Sequence, residues 1–126
     1  MSAWTGDEVD ALAAAEEVQI APRRRDGTLR NPFTVWTVRL GDDLYVRSVR
    51  GRDGAWFRGI QETHSGRIRG GRVEKDVSFV DANTDIADEV DEAYRAKYRR
   101  YAGRILNSVL TPEARMATMR LLPRPT

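Results

Sequence analysis

Phe33-Thr34-Val35-Trp36-Thr37-Val38-Arg39-Leu40-Gly41-Asp42-Asp43-Leu44-Tyr45-Val46-Arg47-Ser48-Val49 is the stretch on which the fold turns. Residues 33–40 are dense in β-branched and aromatic side chains, which suit a pleated, half-buried surface. Gly41-Asp42-Asp43 is a turn signal. Leu44 to Val49 then resumes the strand pattern. Strands joined by so short a turn run antiparallel, because a parallel pair needs a crossover of roughly a dozen residues. The spacing therefore predicts a β-hairpin.

Upstream, Glu16 to Ala21 alternates and reads as another strand. Pro22-Arg23-Arg24-Arg25-Asp26-Gly27 breaks it, with Asp26-Gly27 as a turn pair. Thr5-Gly6-Asp7-Glu8 has capping-box spacing, with Trp4 and Val9 placed as a hydrophobic staple. A short helix over 6–15 follows, with Val9, Leu12 and Ala13 on one face. Downstream, Arg50 to Ala55 is a loop containing Gly51 and Gly54, and Trp56 to Ile60 reads as a short crossover helix. Residues 66–71 and 72–80 read as two more strands, with Ile68, Val77 and Phe79 pointing inward.

Residues 85–101 give the clearest helix, with Ile86, Val90, Ala93, Tyr94, Lys97, Tyr98 and Tyr101 at helical spacing. Its acids come first and its bases last, which suits the helix dipole. The run of carboxylates from Asp85 to Glu92 reads as a solvated face. Ile105 to Leu110 suggests a further short helix, and Thr111-Pro112 starts another turn. Residues 117–121 alternate as a last strand that stops at Pro123. The fold class expected is α+β: a small antiparallel β-barrel of about six strands. It carries an N-terminal helix, a crossover helix and a long helix near the C-terminus. The 126 residues read as a single domain, 1–126.

Composition narrows the chemistry. There is no cysteine and only one histidine, His64. Disulfides, iron–sulfur clusters and cysteine zinc sites are excluded, and metal ligation has no support. His64 sits in a polar segment and reads as a surface or turn residue. No apolar run approaches the ~20 residues that span a bilayer, and no signal peptide is visible. A cytoplasmic location and no membrane contact are expected.

Net charge is +2. Residues 22–72 hold twelve bases, all Arg, against five acids, whereas residues 1–21 hold five acids and no base. Arg pairs two-toothed with phosphate and carboxylate. Arg24-Arg25-Asp26-Gly27-Thr28-Leu29-Arg30 places three Arg around a tight turn, a candidate anion cradle. Arg47-Ser48-Val49-Arg50 lies at a strand end, and Ala55-Trp56-Phe57-Arg58 follows. On one closed sheet these pieces can face one mouth.

This order of residues resembles the deazaflavin-dependent nitroreductases. They belong to the FMN-binding split β-barrels and are relatives of pyridoxamine-phosphate oxidases. The likeness spans roughly Pro22 to Val80. Nearly the full length resembles a bacterial family filed as a domain of unknown function (number 2255), an offshoot of the same barrel superfamily. The resemblance implies a cofactor, FMN or deazaflavin (coenzyme F-420). Arg24, Arg25 and Arg30 match the residues that hold its phosphate or acidic tail, and Gly27 matches the turn glycine. Ser48 matches a serine beside the ring, and Trp56 an aromatic wall. Arg50 stands one position beyond the family's cation, and Leu29 replaces its proline. A homodimer with the cofactor at the subunit seam is also implied. Such a protein would pass hydride to a small organic acceptor, chemistry that needs no triad, metal or cysteine. The other reading is a non-enzymatic binding module of the same barrel holding an anionic ligand or nucleic acid. The modest net charge and acidic N-terminus argue against nucleic acid.

Overall fold

The computed structural model describes residues 4–124. Helix α1 (Gly6–Ala14) starts at Thr5, where both halves of the capping box form. Trp4 Nε1 donates to the Leu121 carbonyl at 3.0 Å, which ties the helix start to the last strand. The strands are β1 (Val18–Pro22), β2 (Phe33–Val35), β3 (Thr37–Leu40), β4 (Asp43–Arg47), β5 (Ser65–Gly70), β6 (Val73–Asp81) and β7 (Thr118–Pro123). Between β4 and β5 runs α2 (Ala55–Thr63); α3 (Ala87–Lys97), α4 (Arg104–Asn107) and α5 (Pro112–Met116) lie between β6 and β7.

Among the described residues there are seven strands rather than six because residues 33–40 break at Trp36. Before the break, Val35 pairs with Val18 of β1; after it, Thr37 pairs with Val46 of β4. All pairings are antiparallel, in the order β2-β1-β5-β6-β7-β4-β3. The two ends of that order are thus consecutive in sequence, with one residue between them. Successive Cα atoms are only about 3.8 Å apart, so the sheet edges must curl together. The result is a near-closed antiparallel barrel, split between β2 and β3.

Two apolar clusters follow from the alternation of side chains across the strands. Leu44 and Val46 point into the barrel, with Leu12, Ile20, Phe57, Ile68, Phe79 and Leu121. Val38 and Tyr45 point outward, onto Val90, Tyr94 and Tyr98 of the α3 region. The hairpin is buried on both faces, which is why it reads as a nearly continuous apolar run.

The long helix is shorter than its periodicity suggests. Separate 3-10 turns at Thr84–Ile86 and Arg99–Tyr101 flank α3. Its acidic face is not wholly solvated either: Asp91 is buried and pairs with Arg47 and Arg115. Periodicity places Asp91 beside exposed acids, but only the barrel brings Arg47 beneath it. No helix among the described residues is long and apolar enough to cross a membrane.

Candidate functional site

A cavity of about 560 Å³ lies beside the Trp36 break, within the usual range for small-molecule sites. One wall is β2 and Trp36, with Glu17 at its edge. A second is the strand end Arg47-Ser48-Val49-Arg50. The start of α2 and the α4 segment, with Ile105, Ser108 and Val109, complete it.

Each wall is held from behind. The Trp36 ring stacks on Tyr98, centroids 3.9 Å apart and planes 4° from parallel. Tyr94 Oη donates to the Trp36 carbonyl at 2.9 Å. Burial pushes the Tyr94 and Tyr98 phenols well above their usual range. They therefore stay protonated and serve as hydrogen-bond donors. Lys97 Nζ donates to the Thr37 carbonyl behind this stack, and burial lowers its pKa to about 8.

Arg47 anchors the strand end. Its guanidinium is fully buried and ion-paired with Asp91. Nε donates to Thr118 Oγ1 at 2.8 Å, Nη1 to the Val109 carbonyl at 2.9 Å and Nη2 to the Ala87 carbonyl at 3.0 Å. Asp91 also accepts from Arg115 at 2.7 Å. One buried cation thus ties β4 to α3, β7 and the Val109 wall. A buried charge is tolerated only when paired and hydrogen-bonded in this way.

The third wall has open donors. Gly54 is the N-cap of α2 and gives no side-chain cap, so the first helical amides remain available at the positive end of the dipole. Gly54 also packs directly on Ser48 Oγ, and a Cβ there would overlap the hydroxyl. Ser48 is buried, whereas Arg50 and Arg58 are exposed and line the cavity beside this helix start. Trp56 supplies an apolar side and meets Phe57 edge-on. Val49 and Ile105, about half exposed, form an apolar rim.

Ser48, Arg50 and Trp56 are thus brought together on one cavity, while Arg24, Arg25, Gly27 and Arg30 are not among its lining residues. The turn that carries the latter group binds itself. The Arg24 amide donates to the Thr28 carbonyl, the Gly27 amide to the Arg24 carbonyl and the Thr28 amide to Asp26 Oδ1. Hydrogen bonds from the Thr28 hydroxyl and amide lower the Asp26 pKa. Gly27 has φ 92°, which explains the glycine. Arg24 Nη1 donates to the Leu29 carbonyl at 3.0 Å. Arg30 lies against Gly59 and pairs with Glu62 of α2, about one helical turn beyond Arg58.

Sequence reading did not single out Glu17 or the helix start as site components. The legible signal was Gly54, a cap residue without a side chain ahead of a helix. His64 is the left-handed C-cap of α2, with φ 55°.

Fold and cavity together define a split β-barrel of the α+β class. Residues 8–121 match the model of one family, and the chain belongs to it: "uncharacterized protein conserved in bacteria (DUF2255)". No curated protein matches the chain in sequence. Solved structures that share its fold include these three. The heme storage protein HutZ of Vibrio cholerae has TM-score 0.63 and 14% identity, covering 96% of this chain and 91% of that one. A FAD-binding protein of Mesorhizobium loti has TM-score 0.57 and 14% identity, covering 97% and 91%. A pyridoxamine 5'-phosphate oxidase-related, FMN-binding protein of Nostoc punctiforme has TM-score 0.51 and 14% identity, covering 99% and 81%.

Proposed function

We propose that the cavity binds a flavin-type cofactor, FMN or the related deazaflavin. Its ring lies against the apolar walls and its phosphate at the start of α2. The observation that carries this reading is the joining, in one cavity, of aromatic walls to an uncapped helix start flanked by Ser48, Arg50 and Arg58. Helix N-termini with nearby guanidinium groups bind phosphate by dipole and hydrogen bond. The FMN- and FAD-binding neighbours of the same fold agree with it.

The lining residues fit a flavin better than haem, which a further neighbour stores. Haem iron is ordinarily held by His, Cys, Met or Tyr. None of these is among the cavity residues. His64 caps the opposite end of the nine-residue α2, roughly 13 Å from its start.

When bound, such a cofactor supplies hydride transfer, here to a small organic acceptor. The chain's own residues bind, orient and exclude water. Arg50, Arg58 and the α2 amides hold the phosphate. Ser48 offers a hydroxyl beside the ring. Trp56, Val49 and Ile105 shield it. Arg24, Arg25 and Arg30, with Gly27 shaping their turn, are assigned to an acidic tail that leaves the cavity along α2. The protein acts as a homodimer with the cofactor near the subunit seam, where the half-exposed rim is covered.

Titration of the purified protein with FMN and with deazaflavin, followed by absorbance and fluorescence, tests the proposal. Binding of one of them at micromolar affinity or better is expected. A well-folded protein that binds neither overturns it.

A further inference from the structure

The cavity is electrically lopsided. Its α2 end carries Arg50 and Arg58, while the Trp36 end carries the Glu17 carboxylate. Antiparallel pairing of Val18 with Val35 brings the adjoining residues Glu17 and Trp36 to the same end of the two strands, and both line the cavity. The preceding acid, Glu16, is occupied by Arg100 and by the Tyr101 hydroxyl. Glu17 has no ion-pair partner among the described residues, and it faces the cavity. Trp36 is an immobilised platform, stacked on Tyr98 and flanked by Tyr101 at 5.3 Å.

We propose that Glu17 and Trp36 form a subsite for a planar heteroaromatic cation, held in the same cavity as the cofactor. A cation over an indole face is attracted by the ring quadrupole, and a nearby carboxylate adds Coulomb attraction. The other cations in the neighbourhood do not cancel it. Lys97 lies behind the stack, over Tyr98, and does not line the cavity. Arg47 is neutralised by Asp91. Arg50 and Arg58 repel a second cation from the α2 end, where Asp53 is the one acid among the lining residues. Opposite ends thus sort opposite charges. As the identity of the second substrate, the inference rests on the flavin reading; as a binding site it stands alone.

The test uses three ring probes of similar size: 1-methylnicotinamide as cation, nicotinamide as neutral ring and nicotinate as anion. Each is titrated into the full chain, with and without FMN, by calorimetry and tryptophan fluorescence. The cation should bind about fivefold more tightly than the neutral ring, and the anion weakest. Glu17→Gln should shrink the cation's advantage about threefold and leave FMN affinity unchanged. Trp36→Leu should weaken both cation and neutral ring. Raising salt should compress the charge ranking. Equal binding of all three probes, or a ranking unmoved by Glu17→Gln, overturns the subsite. If the ranking holds but neither FMN nor deazaflavin binds, the subsite survives and the flavin reading falls. If a flavin binds without any ranking, the reverse follows.

Discussion

The turn at Gly27 and the mouth at Gly54 are both glycine-bearing bends rich in arginine, yet they use that charge differently. At the turn, the amides of Arg24, Gly27 and Thr28 are consumed by hydrogen bonds inside the bend. Arg23 reaches the Gly27 carbonyl and Asp76, and Arg30 reaches Glu62. At the mouth, the helix amides have no cap, and Arg50 and Arg58 look into a cavity. The lesson is that an arginine count locates positive charge but not available positive charge. Availability depends on what the neighbouring strand or helix has already paired. The same holds for the β5 and β6 face, where Arg67 pairs with Asp76 and Glu74, weakening a nucleic-acid reading.

Four experiments would break or sharpen this contrast. The largest effect should come from Asp91→Asn, which leaves the buried Arg47 without its counter-charge. A loss of about 3–5 kcal/mol is expected in urea unfolding, as for other broken buried pairs. A loss under about 1 kcal/mol would mean that Arg47 does not anchor the mouth.

Gly54→Val comes next. The added side chain overlaps Ser48 Oγ and narrows the mouth. Flavin affinity should drop more than about tenfold, equivalent to about 1.4 kcal/mol, while Gly27→Asn, at the turn, should leave FMN affinity within twofold. Equal effects at both glycines would erase the distinction.

A third comparison separates phosphate from tail. Arg50→Ala should weaken FMN and deazaflavin alike, by about tenfold, the scale of a lost charge-assisted hydrogen bond. Arg24→Glu with Arg30→Glu should weaken only the cofactor with the long acidic tail. FMN affinity falling equally in both variants would relocate the phosphate to the turn.

The smallest effect concerns Lys97, behind the Trp36 wall. Burial lowers its pKa from 10.5 to about 8. Between those values the unfolded chain binds the extra proton, so stability rises with pH from about 8. Above pH 10, the raised Tyr94 and Tyr98 phenols keep protons that the unfolded chain loses, and stability falls again. The rise, about 1 kcal/mol after solvent screening, should vanish in Lys97→Met when chemical denaturation is followed from pH 7 to 11.

Much of the fold was legible because it is local. The Thr5 cap, the Gly41 turn and the strand-forming run from Leu44 to Arg47 each depend on neighbours a few residues away. Trp36 shows where that stops. Nothing in its immediate sequence says that residues 33–35 join β1 while 37–40 join β4. The break requires Tyr98 stacked on the indole and Tyr94 on its carbonyl, both about sixty residues away. Ser48, Arg50 and Trp56, which line one cavity, were readable as neighbours because they follow one another along the chain. Glu17 was not, since its place in the cavity comes from pairing across the sheet.

By itself, then, the sequence determined most of the strands, the caps, the Arg-rich middle and the absence of cysteine chemistry. These follow from side-chain periodicity and composition. Tertiary structure alone decided which arginines are free, that Asp91 is buried, and that a split seam opens into a cavity. Those outcomes depend on closing the sheet, where the geometry of distant strands chooses each charge's partner.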